Sequence, residues 1–159
     1  MAEKEPMTVN GYASLKERLR VLKQEEMPRI SREIGAAREM GDLSENAEYH
    51  AAKEKQGLIN AQIMEIEDKL ARAQVIDVTA LAGERVVFGA TVELEELDTS
   101  ERMTYKIVGV DEADTAKGLI SYQSPVAKAL IGKEEGDEVK VTTPKGVRTL
   151  EIIGVHFKA

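Results

Sequence analysis

Cysteine and tryptophan are both absent from this chain. Without cysteine there is no disulfide framework and no thiolate metal site, a composition compatible with a reducing compartment. Aromatic residues make up only 4% of the 159 residues, too little to line an aromatic-walled ligand pocket. No apolar run is long enough to span a bilayer and no secretory signal pattern opens the chain, so it reads as a soluble, cytoplasmic protein with no membrane partner. Positive charge is not in excess either. A net charge of −7 excludes a general nucleic-acid binder and leaves any such contact to a local patch. There is no P-loop, no Gly-x-Gly-x-x-Gly, no defensible Ser-His-Asp set and no internal repeat.

What the chain does have is two kinds of periodicity. Residues 1–7 read as a loose polar tail, and Thr8 as the N-cap of a helix running to about Met40. Leu15, Leu19 and Leu22, then Ile30, Ile34 and Ala37, have coiled-coil spacing, but the step from Leu22 to Ile30 breaks the phase. Pro28 lies in that break and predicts a kink or local distortion there. A second helix is expected from about Glu45 to Ala73. Its seam is Tyr49, Ala52, Gln56, Ile59, Ile63, Ile66, Leu70 and Ala73 in alternating steps of three and four. Folding back at Leu43 pairs the two stripes as an antiparallel hairpin. Beyond Ala73 the pattern changes to short β-rich runs at Val75–Val78, Thr91–Leu94, Thr104–Val108, Leu119–Tyr122, Val139–Thr142 and Thr149–Ile153, with a short helix opened by Ser124 and Pro125. The expected fold is α+β in two domains. Residues 1–74 form the helical hairpin with an acidic tip at 39–48, and residues 75–159 a compact domain on an antiparallel sheet. Most of the acidity belongs to the second, with 10 bases against 15 acids.

Charge changes sign along the hairpin. Residues 16–38 carry seven bases and four acids, whereas residues 39–48 carry four acids and no base. At the tip, Asp42 and Glu45 are three apart, so at a helix start their carboxylates can share a face. They could contribute to a Mg²⁺ site, which takes only one or two protein carboxylates and completes itself with water and phosphate. The same Asp-x-x-Glu is also a capping-box variant, and spacing alone favours that reading. On the shaft, Lys16, Arg20 and Lys23, then Arg29 and Arg32, with Lys53 on the second helix, follow helical spacings that could track a phosphate backbone. A solvated coiled-coil flank with local ion pairs explains them as well. His50 and His156 have no companions at ligand spacing, and Tyr49 fits the seam.

The run Ala37-Arg-Glu-Met-Gly-Asp-Leu-Ser-Glu-Asn-Ala-Glu-Tyr-His-Ala-Ala-Lys-Glu-Lys-Gln56 resembles the tip of the bacterial Gre transcript-cleavage factors. The likeness continues through Ala73–Asp77, Val87–Val92, Ile107–Asp114, Leu119–Ser121 and Ser124–Lys133. It implies an N-terminal antiparallel coiled coil and a C-terminal domain of FKBP-like fold. It further implies that the C-terminal domain docks at the rim of the secondary channel of bacterial RNA polymerase, through a surface that includes Ser124, Pro125 and Val126. The coiled coil would enter the channel, where Asp42 and Glu45 help the polymerase cleave backtracked RNA. In that setting the tip carboxylates share Mg²⁺ with the polymerase site and do not hold it tightly in the free protein, which would be a monomer. The basic shaft residues would lie along the 3′ segment of the extruded RNA. With the resemblance, the metal role at the tip overtakes the cap. Other readings are a Gre-like inhibitor of the same channel, a prolyl isomerase suggested by the implied fold alone, and a coiled-coil adaptor without chemistry.

Overall fold

The structure is a computed structural model that describes residues 3–42 and 45–158. It divides into two compact units. Tyr12–Ala73 make up the first, and Lys4–Gly11 with the chain from Gln74 onward make up the second.

The first unit is the helical hairpin. Helix α1 (Val9–Val21) continues through a five-residue π turn, Leu22–Glu26, into α2 (Met27–Arg38), and α3 (Ala47–Arg72) returns. Thr8 caps α1 as predicted, its Oγ1 accepting from Gly11 N–H at 3.0 Å. The π turn accounts for the broken phase. Eight α-helical steps at roughly 100° each overshoot two turns by roughly 80° and would carry Ile30 off the seam. A π turn spreads one turn over more residues, and here Met27 N–H bonds to the Leu22 carbonyl, five residues back. The stripe returns to phase, and both Leu22 and Ile30 are buried. The distortion expected in the break is this turn, which ends just before Pro28. Pro28 sits in the first turn of α2, where its missing N–H and its bulky ring follow the widened turn. Leu22, Ile30, Ile34, Ala52, Ile59, Ile63 and Ile66 form one apolar cluster, flanked by Leu15, Leu19, Met27, Tyr49 and Leu70. Most of the predicted seam is observed, but Gln56 is not part of the cluster, Ala73 starts a strand instead, and Met27 joins the cluster. Leu43, the expected fold-back point, lies outside the described residues.

The second unit contains two sheets. β1 (Glu5–Thr8) pairs with β2 (Ala73–Ile76), and β3 (Thr91–Glu96), β4 (Arg102–Val108), β5 (Leu119–Ser121), β6 (Glu138–Thr143) and β7 (Gly146–His156) form a sheet in the order β5-β4-β3-β7-β6. Residues 5–7 are thus a strand and not a loose tail. Pro6 can sit in it because a two-stranded sheet is all edge. Of the Val75–Val78 run, Val75 and Ile76 join that small sheet, not the large one, and Val78 starts a 3-10 turn. A second departure concerns strand direction. β3 runs antiparallel to β4 and β7, and β6 to β7, but β5 is parallel to β4. The link between them holds two 3-10 turns, Val110–Glu112 and Thr115–Lys117, which carry the chain back to start β5 in the same direction. The short helix α4 (Pro125–Leu130) completes a core of Val86, Val92, Leu94, Ile107, Ala127, Leu130, Val139, Val141, Leu150 and Ile152.

One carboxylate ties the N-terminal strand into this unit. Glu112 accepts from Thr8 N–H at 3.2 Å and from Gly109 N–H at 3.2 Å, and it also takes the Thr8 hydroxyl. The same carboxylate occupies the space a Cβ would need at position 11, which is why that helical residue is Gly11.

Candidate functional site

The tip starts from a helix that stops. Gly41 has φ of 131°, a region closed to residues with a side chain, so the chain leaves α2 there. α3 begins six residues later, and its N-cap is Asn46, not Asp42. Asn46 Oδ1 accepts from Tyr49 N–H at 3.0 Å. Its Nδ2 donates to the main-chain carbonyl of Ala37, at the end of α2. The Arg38 guanidinium lies over the Tyr49 ring, 5.8 Å from its centroid, and the His50 ring meets Tyr49 edge-on at 5.5 Å. Spacing singles out Asp42-x-x-Glu45 as a capping box and passes over Asn46-x-x-Tyr49, which carries the actual cap.

The consequence is chemical. Neither Asp42 nor Glu45 caps α3, and both are exposed, one on each side of residues 43–44. Among the described residues, no group of three or more His, Asp or Glu side chains could enclose a metal ion. Two exposed hard-oxygen donors without a third are what a shared Mg²⁺ site needs from one partner. The donor set fits that ion and does not by itself make a closed site.

Along the shaft the six candidate bases divide into two groups. Arg20 donates to Glu17 at 2.7–3.2 Å and to Glu25 at 2.9 Å. These hydrogen bonds raise the guanidinium pKa above its ordinary value and lower that of Glu17. Lys23 pairs with Glu67 at 3.6 Å, and Lys16 sits over the Tyr12 ring at 5.6 Å. All of these groups are near the root, and solvent screening makes such pairs worth little to stability. Nearer the tip, Arg29 and Arg32 are exposed and have no hydrogen-bond or ion-pair partner among the described residues. Lys53 has only the neutral Gln56 amide, at 3.2 Å.

The corner at Ser124–Val126 is held by two hydrogen bonds and by the packing of Val126. Ser124 Oγ accepts from Ala127 N–H at 3.2 Å and caps α4. Ser124 N–H is held by the Ser121 carbonyl at 2.9 Å. Pro125 is exposed at the start of the helix, and Val126 packs against the core.

Residues 5–75 match the family described as transcription elongation factor, N-terminal, and residues 81–157 match transcription elongation factor, GreA/GreB, C-terminal. A protein named transcription elongation factor GreA from Hyphomonas neptunium is 58% identical over 98% of this chain and 99% of its own length. Proteins of the same name from Mesorhizobium japonicum and Phenylobacterium zucineum are each 58% identical, over 97% and 98% of this chain and 98% and 99% of their own. The chain belongs to the GreA/GreB family. The two matched segments of this GreA/GreB chain follow the hairpin and the five-stranded sheet, with the family's N-terminal part also taking in β1 and almost all of β2. Among the described residues, no helix is long and apolar enough to cross a membrane.

Proposed function

We propose that this chain is a cytoplasmic transcription elongation factor that enters the secondary channel of bacterial RNA polymerase as a monomer. There it stimulates the polymerase's own Mg²⁺-dependent cleavage of backtracked nascent RNA and so rescues arrested complexes. It is not an enzyme by itself. The observation that carries this reading is the cap at Asn46. With α3 started by Asn46, the Asp42 and Glu45 carboxylates are exposed between the two helices, and capping of α3 does not account for them. Support also comes from α3, whose 26 residues give that limb of the arm a length of about 39 Å. Membership in the GreA/GreB family points the same way.

Each part of the chain then has a task. Asp42 and Glu45 present hard oxygen ligands, and their negative charge helps draw a divalent cation between this tip and the carboxylates of the polymerase. Mg²⁺ held in that way supplies Lewis acidity for phosphodiester hydrolysis. Arg29, Arg32 and Lys53, which have no ion pair within the described hairpin, meet the phosphates of the 3′ segment. Lys16, Arg20 and Lys23 contribute to the positive field of the shaft from sites already engaged locally. Ser124, Pro125 and Val126 form the corner that docks on the polymerase. The partial site explains why the factor needs its partner: two carboxylates cannot hold the ion for a complete reaction cycle.

The test is direct. Purified protein added to a stalled, backtracked complex should shorten the RNA from its 3′ end, and protein with RNA and Mg²⁺ but no polymerase should not. Arrest of transcription without cleavage would replace this reading with that of a Gre-like inhibitor.

A further inference from the structure

The chemistry proposed above uses Asp42 and Glu45 and leaves Asn46 without a task beyond starting a helix. Its side-chain amide makes two bonds of opposite polarity. Oδ1 accepts from Tyr49 N–H at 3.0 Å, the ordinary N-cap bond. Nδ2 donates to the Ala37 carbonyl, nine residues earlier in the chain. Ser and Asp cap as well as Asn does, so the first bond does not require an amide. The second bond does. Asp has no donor to offer, and a Ser hydroxyl is a single atom that cannot lie at both places.

The second bond therefore links the end of α2 to the start of α3. It closes into a ring the segment that holds Asp42 and Glu45. Its anchor is firm, because Ala37 is buried in the seam and its carbonyl also accepts from Met40 N–H at 3.1 Å. The Arg38–Tyr49 contact joins the neighbouring residues of the same two helix ends. We infer that Asn46 is a positioning residue: by tying Ala37 to the cap of α3, it fixes the relative placement of the Asp42 and Glu45 carboxylates. Without that tie the helix still starts, but the loop samples more arrangements than one shared ion can use. A misplacement of about 1 Å in such a constellation typically costs about 10²-fold in rate.

This inference rests on the cleavage reading, and the wild-type protein tests that reading separately in the same experiment. Asn46→Ser and Asn46→Asp are compared with wild type in single-turnover cleavage of a backtracked complex, over a series of factor and Mg²⁺ concentrations. Hydrogen exchange is followed on the free full-length variants. Protection of Tyr49 N–H should stay near wild type in both, because both residues cap. The maximal cleavage rate at saturating factor should fall by about tenfold or more, and half-saturation in Mg²⁺ should move to higher concentration. Half-saturation in factor should stay where it is. Asp adds a charge and Ser does not, so agreement between the two variants separates the lost donor from electrostatics. A merely structural cap would leave the maximal rate and the Mg²⁺ dependence alone. Wild-type maximal rates in both variants would overturn the inference, as would a loss of activity that follows only weaker binding of the factor.

Discussion

The hairpin and the five-stranded sheet bury the same kinds of side chain to different depths. In the sheet unit Val86, Val92, Leu94, Ile107 and Leu130 are all 0% exposed, whereas along the hairpin Ile59, Ile63 and Ile66 keep 8–9%. Two helices have only each other to pack on, so every seam residue retains an edge to water. A sheet covered by a helix encloses its centre. Leu22 at 0% and Ile30 at 2% are the exceptions in the arm, and they lie where the π turn brings the stripe back into phase. The arm is thus held by a short line of mostly partial contacts, and the sheet unit by a larger set of complete ones. Opening should begin in the arm, where each lost contact costs less.

The largest effect should come from a direct test of that contrast. Leu94→Ala should cost about 4–5 kcal/mol and Ile63→Ala about 2–3 kcal/mol, the upper and lower parts of the range for apolar truncation in a core. Denaturant unfolding read separately by amide exchange in each unit checks this, and equal costs would break the comparison.

Next in size is the tip, where activity and folding should come apart. Asp42→Asn or Glu45→Gln removes a charge from residues that do not cap α3, so exchange at Tyr49 N–H should not change. Cleavage at saturating factor should drop by about 10²–10³-fold, or about 2.7–4 kcal/mol, as for the loss of one preorganised electrostatic group. Raising Mg²⁺ should recover part of it. An undiminished rate in both variants would remove the carboxylates from the mechanism.

A smaller effect should distinguish the two ends of the shaft. Replacing Arg29 and Arg32 by Glu should weaken RNA contact and reduce its log–log salt slope by roughly 1.4, the value for two phosphates on a single strand. Arg20→Glu should change that slope far less, because Arg20 already spends its hydrogen bonds on Glu17 and Glu25. Equal slopes would mean that local pairing does not decide which bases meet RNA.

The smallest concerns acid. Arg148 donates to the part-buried Glu96 carboxylate at 2.7 Å, and this hydrogen bond holds the Glu96 pKa below its ordinary 4.5. A depressed folded-state pKa stabilises the fold fully above the unfolded value, and that contribution is lost as pH falls through the folded value. The sheet unit should therefore weaken modestly below pH 4.5 and the Arg148→Met variant should lose part of that dependence. Identical acid profiles would show that the pair contributes nothing measurable.

Much of this was legible in the sequence because it is local or periodic. The hairpin seam follows from steps of three and four, and the Ser124-Pro125 start of α4 from the chemistry of its first two residues. What was not legible depends on partners distant along the chain. As strings, Asp42-x-x-Glu45 is the better capping box, because Tyr49 cannot play the part of the N3 carboxylate. Asn46 caps α3 all the same and also bonds to the Ala37 carbonyl, a partner that spacing does not locate. β1 is short, polar and contains Pro6, and it becomes a strand because β2 arrives beside it after the whole hairpin has intervened. The parallel direction of β5 depends on two 3-10 turns whose composition resembles that of any loop. The distortion expected in the break around Pro28 is there, and what the spacing left open is its form, a π turn that restores the phase of the seam.

The Glu112 carboxylate, with its two bonds to Thr8, has a practical consequence for anyone cutting the gene. The second unit is discontinuous in sequence, and the hairpin is an insertion within it. A fragment that begins at residue 75 is not that unit. It discards β1, shortens β2 and leaves Glu112 with only the Gly109 N–H of its three donors. A faithful fragment would join residues 4–11 to residues 74–159 through a short linker. By the same logic, the arm between those two joints is a cassette that can be exchanged with the arm of a relative.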